Sequence, residues 1–182
     1  MSLKIHSIVA CCKNEGIGYK GTLPWRLKKE MKHFRKITKG DPPEGKQNVI
    51  VMGRKTWQSL PGALPGRYNF VLSRTVSEQA EKMDGVSKSL EDFLKLITSD
   101  EWSSKIHEVF CIGGAEIYKQ LFESSVCGKV ILTRVLADYE CDVFLPKLDG
   151  FKKIIENNED IPGEEQTEVD GTKWMVEVYE KV

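Results

Sequence analysis

The sequence lacks any long apolar run. A transmembrane helix needs about 20 consecutive apolar residues, and no stretch of the chain approaches that length. The apolar stretch within residues 1–16 is also too short and too interrupted for a signal peptide. We therefore expect a cytoplasmic protein that does not associate with membranes.

The sequence has no excess of charge of either sign. Its 27 Lys and Arg residues balance its 27 Asp and Glu residues, so no general attraction to nucleic acid is expected. Basic residues cluster around 26–39 and acidic residues around 156–170, which we interpret as two solvated faces. These features favour a small-molecule partner over nucleic acid.

Cysteine is scarce, and the usual nucleotide-binding fingerprints are absent. The five cysteines, at positions 11, 12, 111, 127 and 141, form no C-x-x-C pair. They therefore predict neither a disulfide framework nor a metal site, as is typical of a reduced cytosolic protein. Neither G-x-G-x-x-G nor G-x-x-x-x-G-K-[ST] occurs.

Strand and helix patterns alternate along the chain. The 182 residues contain no repeat, linker or change of composition, which predicts a single domain over 1–182. The periodicity predicts strands at 4–12, 48–53, 67–74, 107–114 and 129–136, helices at 26–39, 54–60, 89–97 and 115–124, and a C-terminal hairpin turning at Asp170-Gly171. We predict an α/β fold. It should be a twisted, mostly parallel central sheet of about eight strands with helices on both faces, closed by the antiparallel hairpin.

Three predicted strands end in residues suited to anions. Gly53 precedes Arg54, Lys55 and Thr56 at a helix start, Gly113-Gly114 precede another helix, and Ser73-Arg74 end a third strand. Each signal alone is weak, because a Gly-Gly pair before a helix is more often a tight turn. Ligands of open α/β sheets bind at the carboxyl ends of the strands. Together the three sites predict binding of a phosphorylated nucleotide.

Glu30 occupies an unexpected position in the first predicted helix. At 3.6 residues per turn it shares a face with Leu27, Met31, Phe34 and Ile37. One interpretation is a structural acid that pairs with a lysine or reaches solvent. The other is an acid in the wall of a cleft, where its two oxygens bind a forked N–H edge of a heterocycle and burial raises its pKa.

With these features in place, the sequence resembles dihydrofolate reductases almost from end to end. The matching segments are "IVAC" (8–11), "GIGYKGTLPW" (16–25), "MGRKTWQSLP" (52–61), "LPGRYNFVLSR" (64–74), "IGGAEIY" (112–118), "LTR" (132–134) and "MVEVYEK" (175–181), together with Glu30 and Phe34. The combination is specific to this family, in its eukaryotic, monofunctional form.

The resemblance implies a site for dihydrofolate. Glu30 corresponds to the acid that binds the pteridine, Trp25 holds a water near it, and Thr133 hydrogen-bonds the same carboxylate. The implied catalytic residues are Glu30, Trp25, Leu23, Tyr118 and Thr133. The implied substrate-binding residues are Ile8, Val9, Glu30, Met31, Phe34, Arg35, Ser59, Leu60, Leu64, Arg67, Ile112, Tyr118 and Thr133. Arg67 should bind the glutamate carboxylate of the substrate.

The resemblance also implies NADPH as cofactor and no metal. Arg74, with Arg54 or Lys88 nearby, should select the 2′-phosphate of NADPH. The implied cofactor-binding residues are Ala10, Ile17, Gly18, Gly21, Gly53, Arg54, Lys55, Thr56, Leu72, Ser73, Arg74, Lys88, Ile112, Gly113, Gly114, Ala115, Glu116 and Ile117.

The implied reaction is hydride transfer from nicotinamide C4 to pteridine C6, with protonation of N5 by water. Loop 13–25 should act as a lid, and the protein should be a monomer. The sequence departs from the family pattern at Thr22, at Met31 and in a short loop at 61–66. Whether the protein also reduces folate itself stays open. Two alternative functions stay open as well: a reductase of another pterin or of a riboflavin-pathway intermediate, and a catalytically silent binding module.

Overall fold

The computed structural model describes residues 3–75, 82–156 and 158–182. Eleven strands and five helices lie within these residues. The strands are β1 Ile5–Cys11, β2 Gly16–Gly18, β3 Gln47–Gly53, β4 Arg67–Leu72, β5 Gly85–Ser87, β6 Ile106–Cys111, β7 Cys127–Val135, β8 Val143–Phe144, β9 Phe151–Ile154, β10 Gln166–Thr167 and β11 Lys173–Lys181. The helices are α1 Lys28–Lys39, α2 Arg54–Ser59, α3 Leu90–Ile97, α4 Asp100–Ser103 and α5 Ala115–Phe122.

Nine of these strands form one twisted sheet. Eight of them follow the order β10-β11-β7-β1-β6-β3-β4-β5, and β9 pairs with β11 as well. The strands from β7 to β5 run parallel, whereas β11 is antiparallel to β7, β9 and β10. The predicted fold class is therefore confirmed, including the C-terminal hairpin that turns at Asp170-Gly171.

Each face of the sheet carries its own core. On one face, α1 and α2 pack through Ile37 and Trp57 against a cluster that contains Ile8 and Met52. On the other face, α3 and α5 pack against a larger cluster around Val9 and Phe70. Because successive side chains of a strand point to opposite faces, the continuous apolar strands of the sequence supply both cores.

The short elements were missed by the sequence prediction. Strands β2, β5, β8 and β9 have two to four residues, too few to show a period-2 pattern. The predicted helix over 89–97 is confirmed, since the hydroxyl of Ser89 caps it by accepting a hydrogen bond from the Asp92 amide at 3.0 Å. Among the described residues, no helix is long and apolar enough to cross a membrane.

Candidate active site

The predicted anion-binding segments meet at one edge of the sheet. Strands β6, β3, β4 and β5 are consecutive neighbours and parallel, so their carboxyl ends form one continuous rim. The Gly53 amide donates to the Gly113 carbonyl at 2.8 Å and ties two of these ends together. Strand β1 lies beside β6 and brings Ala10 to the same edge.

Glu30 projects from the first turn of α1 and is only 7% exposed. In the part of the chain that the structure describes, no Lys or Arg forms an ion pair with it. Burial raises the pKa of Glu30 to about 7, while the neighbouring Thr133 hydroxyl lowers it and the charge of Glu168 raises it further. The pairing with a lysine that we considered from the sequence is therefore not found among the described residues, and the role of Glu30 as a ligand-binding acid in the wall of a cleft stays a prediction.

Two buried donors that are predicted to lie beside this acid lack partners among the described residues. Neither Trp25 Nε1 nor Thr133 Oγ1 makes a hydrogen bond of normal geometry with any described residue. The Thr133 hydroxyl still lies close enough to Glu30 to lower the pKa of its carboxyl group. Trp25 is otherwise packed in a cluster with Leu27 and Trp174. Buried polar atoms almost always find partners, so the Trp25 indole and the Thr133 hydroxyl are suited to bind a water molecule or a ligand.

The first turn of α1 is capped from the other end of the chain. Leu27 precedes the helix and supplies no side-chain cap. Instead, Glu168 accepts hydrogen bonds from the amides of Lys29 at 3.0 Å and Glu30 at 3.1 Å. We had placed Glu168 in a solvated acidic face, and this was wrong, because it is 7% exposed. The only signal in the sequence was the missing N-cap residue before α1.

The apolar wall around Glu30 comes from several elements. Ile8 of β1 packs with Phe34 of α1 and with Leu60, Leu64 and Ile112. Met31 follows Glu30 on α1 and is 44% exposed, and Leu23, which precedes the helix, is 54% exposed. Large apolar side chains that remain exposed beside a buried cluster are typical of the mouth of a ligand pocket.

Val9 is a predicted pocket residue whose side chain points away from this wall. It belongs to the core on the opposite face of the sheet, because side chains alternate along β1. Only the backbone of Val9 can face a ligand there. Tyr118 lies in the same opposite core, and its hydroxyl donates to the Ile8 carbonyl at 2.8 Å.

Arg67 is buried rather than solvated, with 6% of its surface exposed. Its Nε and Nη2 atoms donate to the Pro65 carbonyl at 3.0 and 2.9 Å, and Nη1 donates to the Thr38 hydroxyl at 2.9 Å. Burial and the neighbouring charge of Arg35 lower the pKa of Arg67. The guanidinium has five N–H groups, so two of them make no hydrogen bond to a described residue and are suited to an anion. Ser59 lies nearby in α2 and is exposed.

The rim of the sheet has features that suit a phosphate group. Helices α2 and α5 begin after Gly53 and Gly114, with no side-chain cap on either first turn. A Cβ atom on Gly114 would meet only the Thr56 hydroxyl at 3.7 Å, and Gly113 has a φ of 107° that favours glycine. The backbone can therefore approach a ligand closely there. Four exposed cations surround the rim: Arg54, Lys55, Arg74 and Lys88.

Further residues predicted to contact the cofactor line the same rim. Leu72 and Ser73 end β4 beside Ser87, and the Ser73 amide donates to the Ser87 carbonyl at 2.9 Å. The half-buried Ile117 packs against the core from α5, beside Ala115 and the exposed Glu116. Among the described residues, no group of three or more His, Cys, Asp and Glu side chains could hold a metal ion.

Loop 13–25 contains a strand that anchors it. Strand β2 pairs with β8, and the Asp142 amide donates to the Gly18 carbonyl at 2.9 Å. Gly16 packs so tightly that a Cβ atom there would lie 2.2 Å from the Cys141 Sγ atom. Within this anchored strand Ile17 and Gly18 are half-buried, and beyond it Gly21 is exposed with a φ of 81°.

A separate groove lies at the opposite edge of the sheet. It is lined by residues near the starts of the strands, including His6, His107 and Lys129, and by the end of α1. Ion pairs between Lys36 and Asp160 and between Lys129 and Glu156 border it. None of the predicted site residues faces this groove.

Comparisons with known proteins agree with this geometry. The sequence profile of the dihydrofolate reductase family matches residues 4–180. The dihydrofolate reductase of Gallus gallus is 40% identical over 183 residues, covering 97% of this chain and 96% of the relative. That of Aedes albopictus is 37% identical and covers 98% of each chain. Among solved structures, Schistosoma mansoni dihydrofolate reductase superposes with a TM-score of 0.86 at 35% identity, covering 100% of both chains.

Proposed function

The chain belongs to the dihydrofolate reductase family, and we propose that its reaction takes place at the carboxyl edge of the sheet, around Glu30. The enzyme reduces dihydrofolate to tetrahydrofolate at the expense of NADPH. The observation that carries the site assignment is a buried carboxylate with no cationic partner among the described residues, set in an apolar wall.

Glu30 binds the forked 2-amino and N3 edge of the pteridine. A carboxylate accepts two parallel N–H bonds from such an edge, and this fixes the ring in one orientation. Neither the Trp25 indole nor the Thr133 hydroxyl has a hydrogen-bond partner of normal geometry among the described residues. The indole holds a water beside that edge, and the hydroxyl, which already lowers the pKa of Glu30, turns to its carboxylate when the substrate binds. Since Glu30 faces N3 it is poorly placed to reach N5, and a water molecule delivers the proton to N5.

The apolar residues around Glu30 bind the rings of the substrate. Ile8, Phe34, Leu60 and Ile112 pack against the pteridine and aminobenzoyl groups, and the exposed Met31 and Leu23 close over them. Arg67 directs its two remaining N–H groups at the glutamate carboxylate, held in place by Thr38 and Pro65. Arg35 adds a second positive charge at that end.

The rim formed by β6, β3, β4 and β5 would hold NADPH, which would supply the hydride that reduces pteridine C6. The backbone of Gly113 and Gly114 and the first turn of α2 bind the pyrophosphate, and Arg74, with Arg54 or Lys88, binds the 2′-phosphate. The lid at 13–25 covers the nicotinamide pocket and excludes water.

The functional unit is the single domain 1–182, acting as a monomer in the cytoplasm, with dihydrofolate as the main substrate. Its test is the loss of NADPH absorbance when dihydrofolate is added to the purified protein. We expect turnover in the parent protein, a fall of at least about 100-fold in Glu30→Gln, and unchanged turnover in Glu91→Gln, an exposed control. Tight binding of both ligands without turnover would show a silent binding module instead.

A further inference from the structure

We propose that Glu168 is a positioning residue for Glu30, acting from the C-terminal hairpin on the first turn of the helix that carries the active-site acid. The proposal rests on the function assigned to Glu30 above. It adds a residue 138 positions away in the sequence, outside every motif that resembles the family.

Glu168 binds the free amides at the start of α1. The first four N–H groups of a helix have no partner within the helix, and a side chain usually accepts from them. Leu27 cannot do so, and the two Glu168 oxygens accept from the Lys29 amide at 3.0 Å and the Glu30 amide at 3.1 Å. The backbone of the catalytic acid itself is therefore held by Glu168.

Glu168 is in turn fixed from the sheet side. The Trp174 indole donates to its Oε2 atom at 2.8 Å, and Trp174 packs against the His33 ring of α1 with the centroids 5.7 Å apart. Lys29 sends its ammonium group to the Thr167 carbonyl at 2.8 Å and not to the carboxylate. The Glu168 carboxylate thus accepts three hydrogen bonds in a buried position, which fixes its orientation.

This arrangement decides where the Glu30 side chain can go. An acid in the first turn of a helix is attracted to the free amides and to the positive end of the helix dipole. Glu168 already occupies those amides and carries a negative charge. Glu30 is therefore directed away from its own helix terminus and into the ligand pocket.

The charge of Glu168 also changes the electrostatic potential at the Glu30 carboxylate. The polar and titratable groups that face Glu30 are Thr133 on β7, Tyr118 on α5 and Glu168. Burial raises the pKa of Glu30, the Thr133 hydroxyl lowers it, and the charge of Glu168 raises it. Glu168 also offsets the helix dipole, which would otherwise lower the pKa of Glu30. Removing the Glu168 charge should therefore lower the pKa of Glu30, because it removes the direct repulsion and also the offset to the helix dipole.

The test compares Glu168→Gln with Glu165→Gln. The amide of Glu168→Gln keeps an acceptor oxygen for the helix but removes the charge. Glu165 lies in the same segment, exposed and paired with Lys173 at 3.5 Å, so it is a matched control. The pKa of Glu30 is read from the ¹³C signal of its carboxyl group in the ligand-free protein, identified by its loss in Glu30→Gln. The pH profile of kcat is recorded in parallel.

We expect Glu168→Gln to lower the pKa of Glu30 by at least about half a pH unit and to move the limb of the kcat profile that follows Glu30 in the same direction. Glu165→Gln should change neither. If Glu168→Gln folds and loses stability while both midpoints stay where they are in the parent, Glu168 is only a structural cap and the proposal is overturned. Because the NMR midpoint needs no substrate, an inactive parent protein would refute the proposed function without affecting this result.

Discussion

Replacing Glu30 by Gln should stabilise the ligand-free protein, and by an amount that depends on pH. Burial raises the pKa of this carboxyl from 4.5 to about 7. The folded state therefore holds the proton more tightly than the unfolded state does. Below pH 4.5 the acid is neutral in both states, and as the pH rises through about 7 the folded state loses stability that a non-titrating Gln keeps.

The size of the effect follows from the pKa shift. One pKa unit corresponds to about 1.36 kcal/mol, so the full shift of Glu30 amounts to roughly 3 kcal/mol, most of which falls between pH 5 and pH 8. This is a large share of the roughly 5–15 kcal/mol that holds a domain folded. We therefore expect the difference in unfolding free energy between Glu30→Gln and the parent to grow by about 2–3 kcal/mol over that range.

Urea unfolding followed by tryptophan fluorescence at pH 5 and pH 8 measures this difference. The slope with urea should be the same in both proteins, since they bury the same surface. Glu91→Gln is the control, because its carboxylate is 81% exposed beside Lys95 and should change stability by no more than about 0.5 kcal/mol at either pH. A Glu30→Gln protein that is less stable at pH 8, or equally shifted at both pH values, would mean that Glu30 has a cationic partner, and the reasoning would be wrong.

Three further substitutions test the rest of the site. Arg74→Gln should raise the KM for NADPH about tenfold or more and leave that for NADH nearly unchanged; equal effects on both would contradict the 2′-phosphate role. Arg67→Lys should raise the KM for dihydrofolate about tenfold or more, because a lysine lacks the planar fork, while a 2,4-diaminopyrimidine without a carboxylate should bind as before, as competition assays can show. Gly16→Ala should lower kcat, since its Cβ atom would lie 2.2 Å from Cys141 Sγ, whereas Gly163→Ala, with nothing within 4 Å, should not. Rescue of Gly16→Ala by Cys141→Gly would confirm the clash as the cause, and equal kcat values in the two Ala variants would refute it.

Local periodicity predicted those parts of the site that depend on neighbours in the sequence. The position of Glu30 within an apolar helical face was visible because a helix repeats every 3.6 residues. The shared edge of Gly53 and Gly113 followed from parallel strands. The opposite direction of the Val9 side chain could also have been read from strand alternation beside Ile8, and it was overlooked.

The remaining features depend on contacts that sequence spacing does not encode. Glu168 is one acid among many in an acidic segment, and only the folded chain brings it to α1. Strands β2 and β8 are short, and they form only because each finds the other. The burial of Arg67 depends on Thr38, which lies 29 positions away. Such pairings are decided by the whole fold and have no local pattern.

The order of strands in the sheet has a consequence for how the chain is made. Strand β1 pairs with β6 and β7, so that Ile5 lies beside Val109 and Cys127, and β11 must then cover β7. Strand β1 is synthesised before both of these neighbours and therefore has no partner in the sheet until β6 has been made. Folding dominated by such distant contacts is slow and begins late. Amino-terminal fragments that stop before β6 should keep their apolar strand exposed, which makes them substrates for chaperones and proteases.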